Sequence, residues 1–186
     1  MWVAVVIPQQ CIILLAGFPA TGKSTFGQYL AREHGFAHYN LECDALSWPC
    51  PNLKGEWDSS RQAFVSALKE RHHRVVLDWG FPVHYLSWVN ELLSAGVKVV
   101  WFSGNLLHLR RVFIARGRGE VAQFDAQVRA IQEAGLPGSL CCISIVAITG
   151  IGAFLDTCDI ERLIFDSTDQ PARTQPGSIL RQKPRP

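Results

Sequence analysis

A chain of 186 residues with 48% apolar and 18% charged residues has the length of one domain and the composition of a buried core, which excludes a disordered chain and a coiled coil. The net charge of +2 resides in residues 166–186, where Asp166 and Asp169 stand against Arg173, Arg181, Lys183 and Arg185. Residues 1–165 are therefore neutral overall, which argues against the broad basic footprint of a nucleic-acid-binding domain.

In chain order, Cys11–Ala16 (CIILLA) is a continuous apolar run closed by Gly17, the pattern of a strand buried on both faces. Lys23–His34 reads as a helix with Phe26, Tyr29 and Leu30 on one face, and Ala37–Leu41 as a second strand. Asp58–Glu70 is expected as a second helix with Phe64, Val65 and Leu68 inward, and Val75–Leu77 as a third strand. A helix over His84–Ala95 ends at Gly96, and Val97–Phe102 is a fourth strand. Two helices, Asn105–Ala115 and Ala122–Ala134, are interrupted by Gly117-Arg118-Gly119; Cys141–Ile148 is a fifth strand and Ile160–Phe165 a short last helix. Strands alternating with helices imply an α/β domain of three layers around a parallel sheet, spanning residues 1–165. The tail over 166–186, with Pro171, Pro176 and Pro184, is expected to be disordered.

Six cysteines, at 11, 43, 50, 141, 142 and 158, form no CxxC pair, and Cys43, Cys50 and His38 match no standard zinc spacing. Cys11, Cys141 and Cys142 lie in apolar runs and are expected to be buried, in a reduced, cytoplasmic protein. The apolar N-terminus carries no Lys or Arg ahead of it and is interrupted by Pro8, Gln9 and Gln10, which argues against a signal peptide. No run has the length of a membrane span.

The segment Gly17-Phe18-Pro19-Ala20-Thr21-Gly22-Lys23-Ser24 matches G-x-x-x-x-G-K-[ST] between a buried strand and a helix. Such a loop turns backbone N–H groups inward as an anion nest, and the helix N-terminus adds positive potential. Lys23 would neutralise the outer phosphates of a nucleotide, and the Ser24 hydroxyl would ligate Mg²⁺. A plain turn with a surface lysine explains the segment poorly, because a cation in the first helical turn opposes the helix dipole by roughly 0.3–1 kcal/mol.

The run G-F-P-A-T-G-K-S-T, residues 17–25, resembles the loop of the small P-loop kinases: shikimate, gluconate and adenylate kinases, chloramphenicol phosphotransferase and polynucleotide kinase. The resemblance covers residues 11–165 and implies a five-stranded parallel sheet of order 2-3-1-4-5 and phosphoryl transfer from Mg-ATP to a small acceptor. It places Asp78, at the end of the third strand, as a second magnesium ligand; a strand-end cap is the alternative. The next residues are Trp79-Gly80 rather than a water-activating glutamate, which favours transfer over hydrolysis, and no N-K-x-D motif marks a GTPase. The resemblance also sets Asp44 at the acceptor hydroxyl, with Glu42 as a competing carboxylate, and places Arg116 and Arg118 on a short lid, while Arg110 and Arg111 solvate a helix. Trp48, Trp57, Trp79 and Gly80 line an aromatic acceptor pocket or pack a satellite core; Arg61 would meet an anionic group, and 151–154 would receive the adenine ring. Two rivals remain: a polynucleotide 5′-hydroxyl kinase, and an ATP-binding regulatory or toxin-like module.

Overall fold

The computed structural model describes residues 5–117, 119–150 and 152–166. Five strands, β1 (Cys11–Gly17), β2 (Ala37–Asn40), β3 (Arg74–Asp78), β4 (Lys98–Gly104) and β5 (Cys142–Ile148), form one sheet in the order β2-β3-β1-β4-β5. Every pairing is parallel. Among the described residues seven α-helices connect them: α1 (Lys23–His34), α2 (Lys54–Ser59), α3 (Arg61–Arg71), α4 (Leu86–Ser94), α5 (Leu106–Ala115), α6 (Val121–Glu133) and α7 (Thr157–Phe165).

All seven residues of β1 are buried, as a central strand covered on both faces requires. Its alternate side chains enter two separate cores. Leu14 and Ala16 join Leu77 and Trp101 beneath Phe64, Leu68, Val89, Leu92, Phe124 and Val128 of α3, α4 and α6. Ile13 and Leu15 join Val76, Val100 and Phe102 beneath Phe26, Leu30, Ile160 and Ile164 of α1 and α7. The period of two along each strand thus builds the three layers directly.

The expected helix over 58–70 is two helices. Ser60 is extended between them (φ −158°, ψ 120°), and its hydroxyl accepts the Ala63 N–H at 3.2 Å, capping α3. The last helix begins three residues earlier than expected, at Thr157, because the Asp156 carboxylate accepts the Cys158 N–H at 2.8 Å. Strand β5 lies at the sheet edge, so Cys141 is exposed and Cys142 half-buried, contrary to the expectation of burial; Cys11 is buried. All six cysteines are free thiols. The Glu161 carboxylate accepts the Tyr29 hydroxyl at 2.7 Å and meets His34 Nε2 at 3.0 Å, tying α7 to α1. Among the described residues no helix is long and apolar enough to cross a membrane. The tail from residue 167 onward lies outside the described residues.

Candidate active site

At the C-terminal end of β1 the chain turns into α1 through residues 18–22, and Gly17 is required there. Its φ is +124°, and a Cβ would lie 2.1 Å from the Phe102 carbonyl oxygen of β4. The Phe18 N–H donates to that same oxygen at 3.0 Å, which seats the loop on the sheet. Ala20 (φ +63°) and Gly22 (φ +88°) adopt left-handed conformations, and the Thr21 hydroxyl donates to the Phe18 carbonyl at 2.8 Å. No side chain caps α1 at Gly22, so no capping side chain competes for the first-turn N–H groups. Ala20 holds a conformation that costs an L-residue roughly 1–2 kcal/mol. Ala20→Gly is therefore expected to stabilise the protein by roughly 0.5–1 kcal/mol after the added freedom of the unfolded chain is offset, measured by denaturant unfolding.

Lys23 is the buried cation of the loop. Its ammonium donates to the Phe18 carbonyl at 2.9 Å and the Gly17 carbonyl at 3.4 Å. Burial pushes its pKa down, the Asp78 and Glu42 carboxylates partly restore it, and Arg116 lowers it further. These groups converge on a cleft of about 790 Å³ lined by residues 19–25 and by Asn40, Glu42, Asp78, Gly80, Arg116 and Gln127. Gly17 and Phe18 lie outside the lining; Phe18 packs edge-on against Trp101 at 6.1 Å and anchors the loop from below.

Asp78 reaches the cleft because it pairs in register with Leu15 of β1 and Asn40 of β2, at the same sheet edge as the loop. It is 2% exposed, and its Oδ2 has no hydrogen-bond partner among the described residues; the nearest basic atom is His38 Nε2 at 3.8 Å. A buried carboxylate oxygen with no donor among the described residues, lining the same cleft as the first-turn hydroxyl of Ser24, offers hard oxygens of the kind Mg²⁺ takes. Among the described residues no three His, Cys, Asp or Glu side chains gather as a metal cage. Magnesium in a phosphate site asks for less, since phosphate and water oxygens complete its shell.

Asp44 and Glu42, the two carboxylates expected on the acceptor side, sit in different surroundings. Asp44 accepts the Leu46 N–H at 3.0 Å as the cap of a short 3₁₀ turn, and it lines neither the cleft nor the cavity beside it. Glu42 does line the cleft. Its Oε1 accepts the Gly80 N–H at 2.7 Å, and a Cβ on residue 80 would meet that oxygen at 2.8 Å. Gly80 is thus small because the carboxylate crosses it.

Arg116, at the C-terminus of α5, lines the cleft, and Arg118 lies outside the described residues. Arg110 does not merely solvate its helix: it forms a two-point pair with Asp125 of α6 at 2.9 and 3.1 Å, linking α5 to α6. Trp48, Trp57 and Trp79 are buried in one aromatic core, so the satellite-core alternative describes Trp48 and Trp57. Arg61 is buried in it as well, its guanidinium 4.7 Å from the Trp57 ring and 3.9 Å from the Trp88 ring, and it lines no part of the cleft. The Phe154 ring lies beside Gly22, 3.5 Å from where a Cβ would sit, while Ile151 is outside the described residues. Gln127 was not anticipated: its Nε2 donates to the Gly80 carbonyl at 3.0 Å, and nothing in the pattern of α6 distinguishes it from an exposed polar residue.

No protein-family model matches the sequence, and no curated protein matches it. Solved structures do share its architecture. A gluconokinase from Sinorhizobium meliloti superposes with a TM-score of 0.54 at 16% identity, over 86% of this chain and 92% of that one. A shikimate kinase from Acinetobacter baumannii, in complex with shikimate, gives 0.54 at 15% identity, over 87% and 97%. The fold is that of the small P-loop kinases. The YorR protein of Bacillus subtilis, solved in complex with phosphorylated GDP, shares it with a TM-score of 0.52 at 15% identity, over 82% and 92%. Strand order 2-3-1-4-5 is the topology that the glycine-rich loop implied.

Proposed function

We propose that the protein is a Mg-ATP-dependent phosphotransferase that delivers the γ-phosphate to a hydroxyl of a small organic acceptor, with Glu42 as the carboxylate facing that hydroxyl. The observation that carries this reading is the convergence of Lys23, Asp78 and Glu42 at one sheet edge, with Glu42 held across Gly80 by the 2.7 Å bond. The loop amides and Lys23 bind and orient the triphosphate. Ser24 and Asp78 would hold Mg²⁺, which supplies charge neutralisation on the phosphate oxygens when bound. The acceptor oxygen attacks the γ-phosphorus, the bond to the β–γ bridging oxygen breaks, and ADP leaves with that electron pair. The hydroxyl proton passes to Glu42, and Arg116 offsets charge on the equatorial oxygens.

Glu42→Gln is expected to lower kcat by about 10²–10⁴ while leaving Mg-ATP stabilisation of the fold intact, as read by labelled-phosphate transfer and thermal unfolding. Asp44→Asn is expected to leave both unchanged, because asparagine caps the turn as well as aspartate does. The opposite ranking of the two variants would return the acceptor role to Asp44.

A further inference from the structure

A second cavity, of about 660 Å³, opens off the cleft and shares Glu42, Gly80 and Gln127 with it. Beyond those three, its walls are Trp79, Pro82 and Val83 of the segment that follows β3 and Ala130 of α6, with the exposed imidazole of His84 at the edge. No Lys or Arg lines it, and its one carboxylate is Glu42. The nearby cations are engaged elsewhere. Arg61 is enclosed between Trp57 and Trp88, Arg110 is paired with Asp125, and Lys23 and Arg116 line the phosphate side of the cleft.

We infer that this cavity is the acceptor site and that it takes an uncharged hydroxyl compound with an apolar ring face, and selects against carboxylated or phosphorylated acceptors. The inference rests on the phosphotransfer reading, since Glu42 marks the end of the cavity where the hydroxyl meets the γ-phosphate. An acceptor carboxylate would lose water against Trp79, Val83 and Ala130 with no Lys or Arg in the cavity wall to replace it. It would also lie near the Glu42 carboxylate, and like charges repel most where water is excluded. A neutral ring loses nothing comparable and gains apolar contact, while its hydroxyl finds the Glu42 carboxylate at the one polar end. The volume is within the range that encloses a small organic molecule, roughly 300–1,000 Å³.

The test uses matched pairs that differ in one charge: shikimate against its methyl ester, and phenyl β-glucuronide against phenyl β-glucoside. Binding is read by calorimetry on the full chain with Mg²⁺ and a non-hydrolysable ATP analogue. The neutral member of each pair is expected to bind at least tenfold more tightly. Val83→Arg, and independently Ala130→Arg from α6, are expected to reverse that preference without altering stabilisation by Mg-ATP. An acid that binds as well as its neutral partner, or a set in which no compound binds, overturns the acceptor class while Mg-ATP stabilisation persists. Absence of Mg-ATP stabilisation in the parent chain overturns the phosphotransfer reading instead.

Discussion

A Lys23→Met protein is expected to fold at least as stably as the parent chain at neutral pH and to gain nothing from Mg-ATP. Both halves follow from burial. Lys23 is 8% exposed and, among the described residues, its ammonium donates to two loop carbonyls, so the folded state disfavours its charge and lowers its pKa from 10.5. A base with a depressed folded pKa is protonated more readily in the unfolded chain. Stability of the parent should therefore rise with pH as the unfolded value near 10.5 is approached from below. Methionine removes the charge, keeps the apolar stem and abolishes that slope. The parent chain, at a nucleotide concentration one hundred times its dissociation constant, is stabilised by about 2.7 kcal/mol, roughly 5–10 °C for a domain of this size. Thermal unfolding with and without Mg-ATP at two pH values reads both effects. A variant that still gains several degrees from Mg-ATP would show that the loop is not the phosphate site.

Asp78→Asn is expected to lower phosphotransfer about a thousandfold, or about 4 kcal/mol of barrier, with little change in stability. The rate effect would follow from losing the charged ligand that the proposed function assigns to Mg²⁺ beside the phosphates. Two opposing contributions keep the stability change small. Asn removes a buried charge whose Oδ2 has no donor, and it withdraws one of the two carboxylates that support the Lys23 ammonium. The Tm should stay within about 3 °C of the parent, near 1 kcal/mol. A steady-state assay at saturating acceptor, paired with a melting curve, separates the possibilities. Full activity with a large loss of stability would mark Asp78 as a strand-end cap.

The sheet and its loop were legible because their signals are local. A strand covered on both faces must be apolar without interruption, and β1 is; the glycine pattern follows it directly, and the strand order came from the resemblance that pattern carries. Other features depend on tertiary contacts that periodicity does not register. The run over 58–70 reads as helical throughout, yet Ser60 breaks it by bonding the Ala63 amide. Arg61, on the helix that follows, is expected to meet an anionic group, but Trp57, four residues earlier, and Trp88 enclose it instead. The preference for Asp44 over Glu42 comes from the resemblance alone: β2 stops at Asn40, the chain turns, and alternation does not tell which carboxylate faces inward. The partner that orients Glu42, the amide of Gly80, is 38 residues away. Cys141 and Cys142 were misread for the same reason, since an apolar strand is buried only if it is not the edge.

The fold and the cleft together account for a stretch, residues 1–165, that is neutral overall yet gathers Lys23, Glu42, Asp78 and Arg116 at one mouth. Their proximity is the claim on which everything else depends. Its most direct measurement incubates the parent chain with Mg-ATP labelled on the γ-phosphate and a panel of neutral hydroxyl compounds, and follows where the label goes. The account predicts label in an organic phosphate monoester, with transfer lost in Glu42→Gln. Label released only as inorganic phosphate, at a rate that Glu42→Gln leaves unchanged, would contradict it.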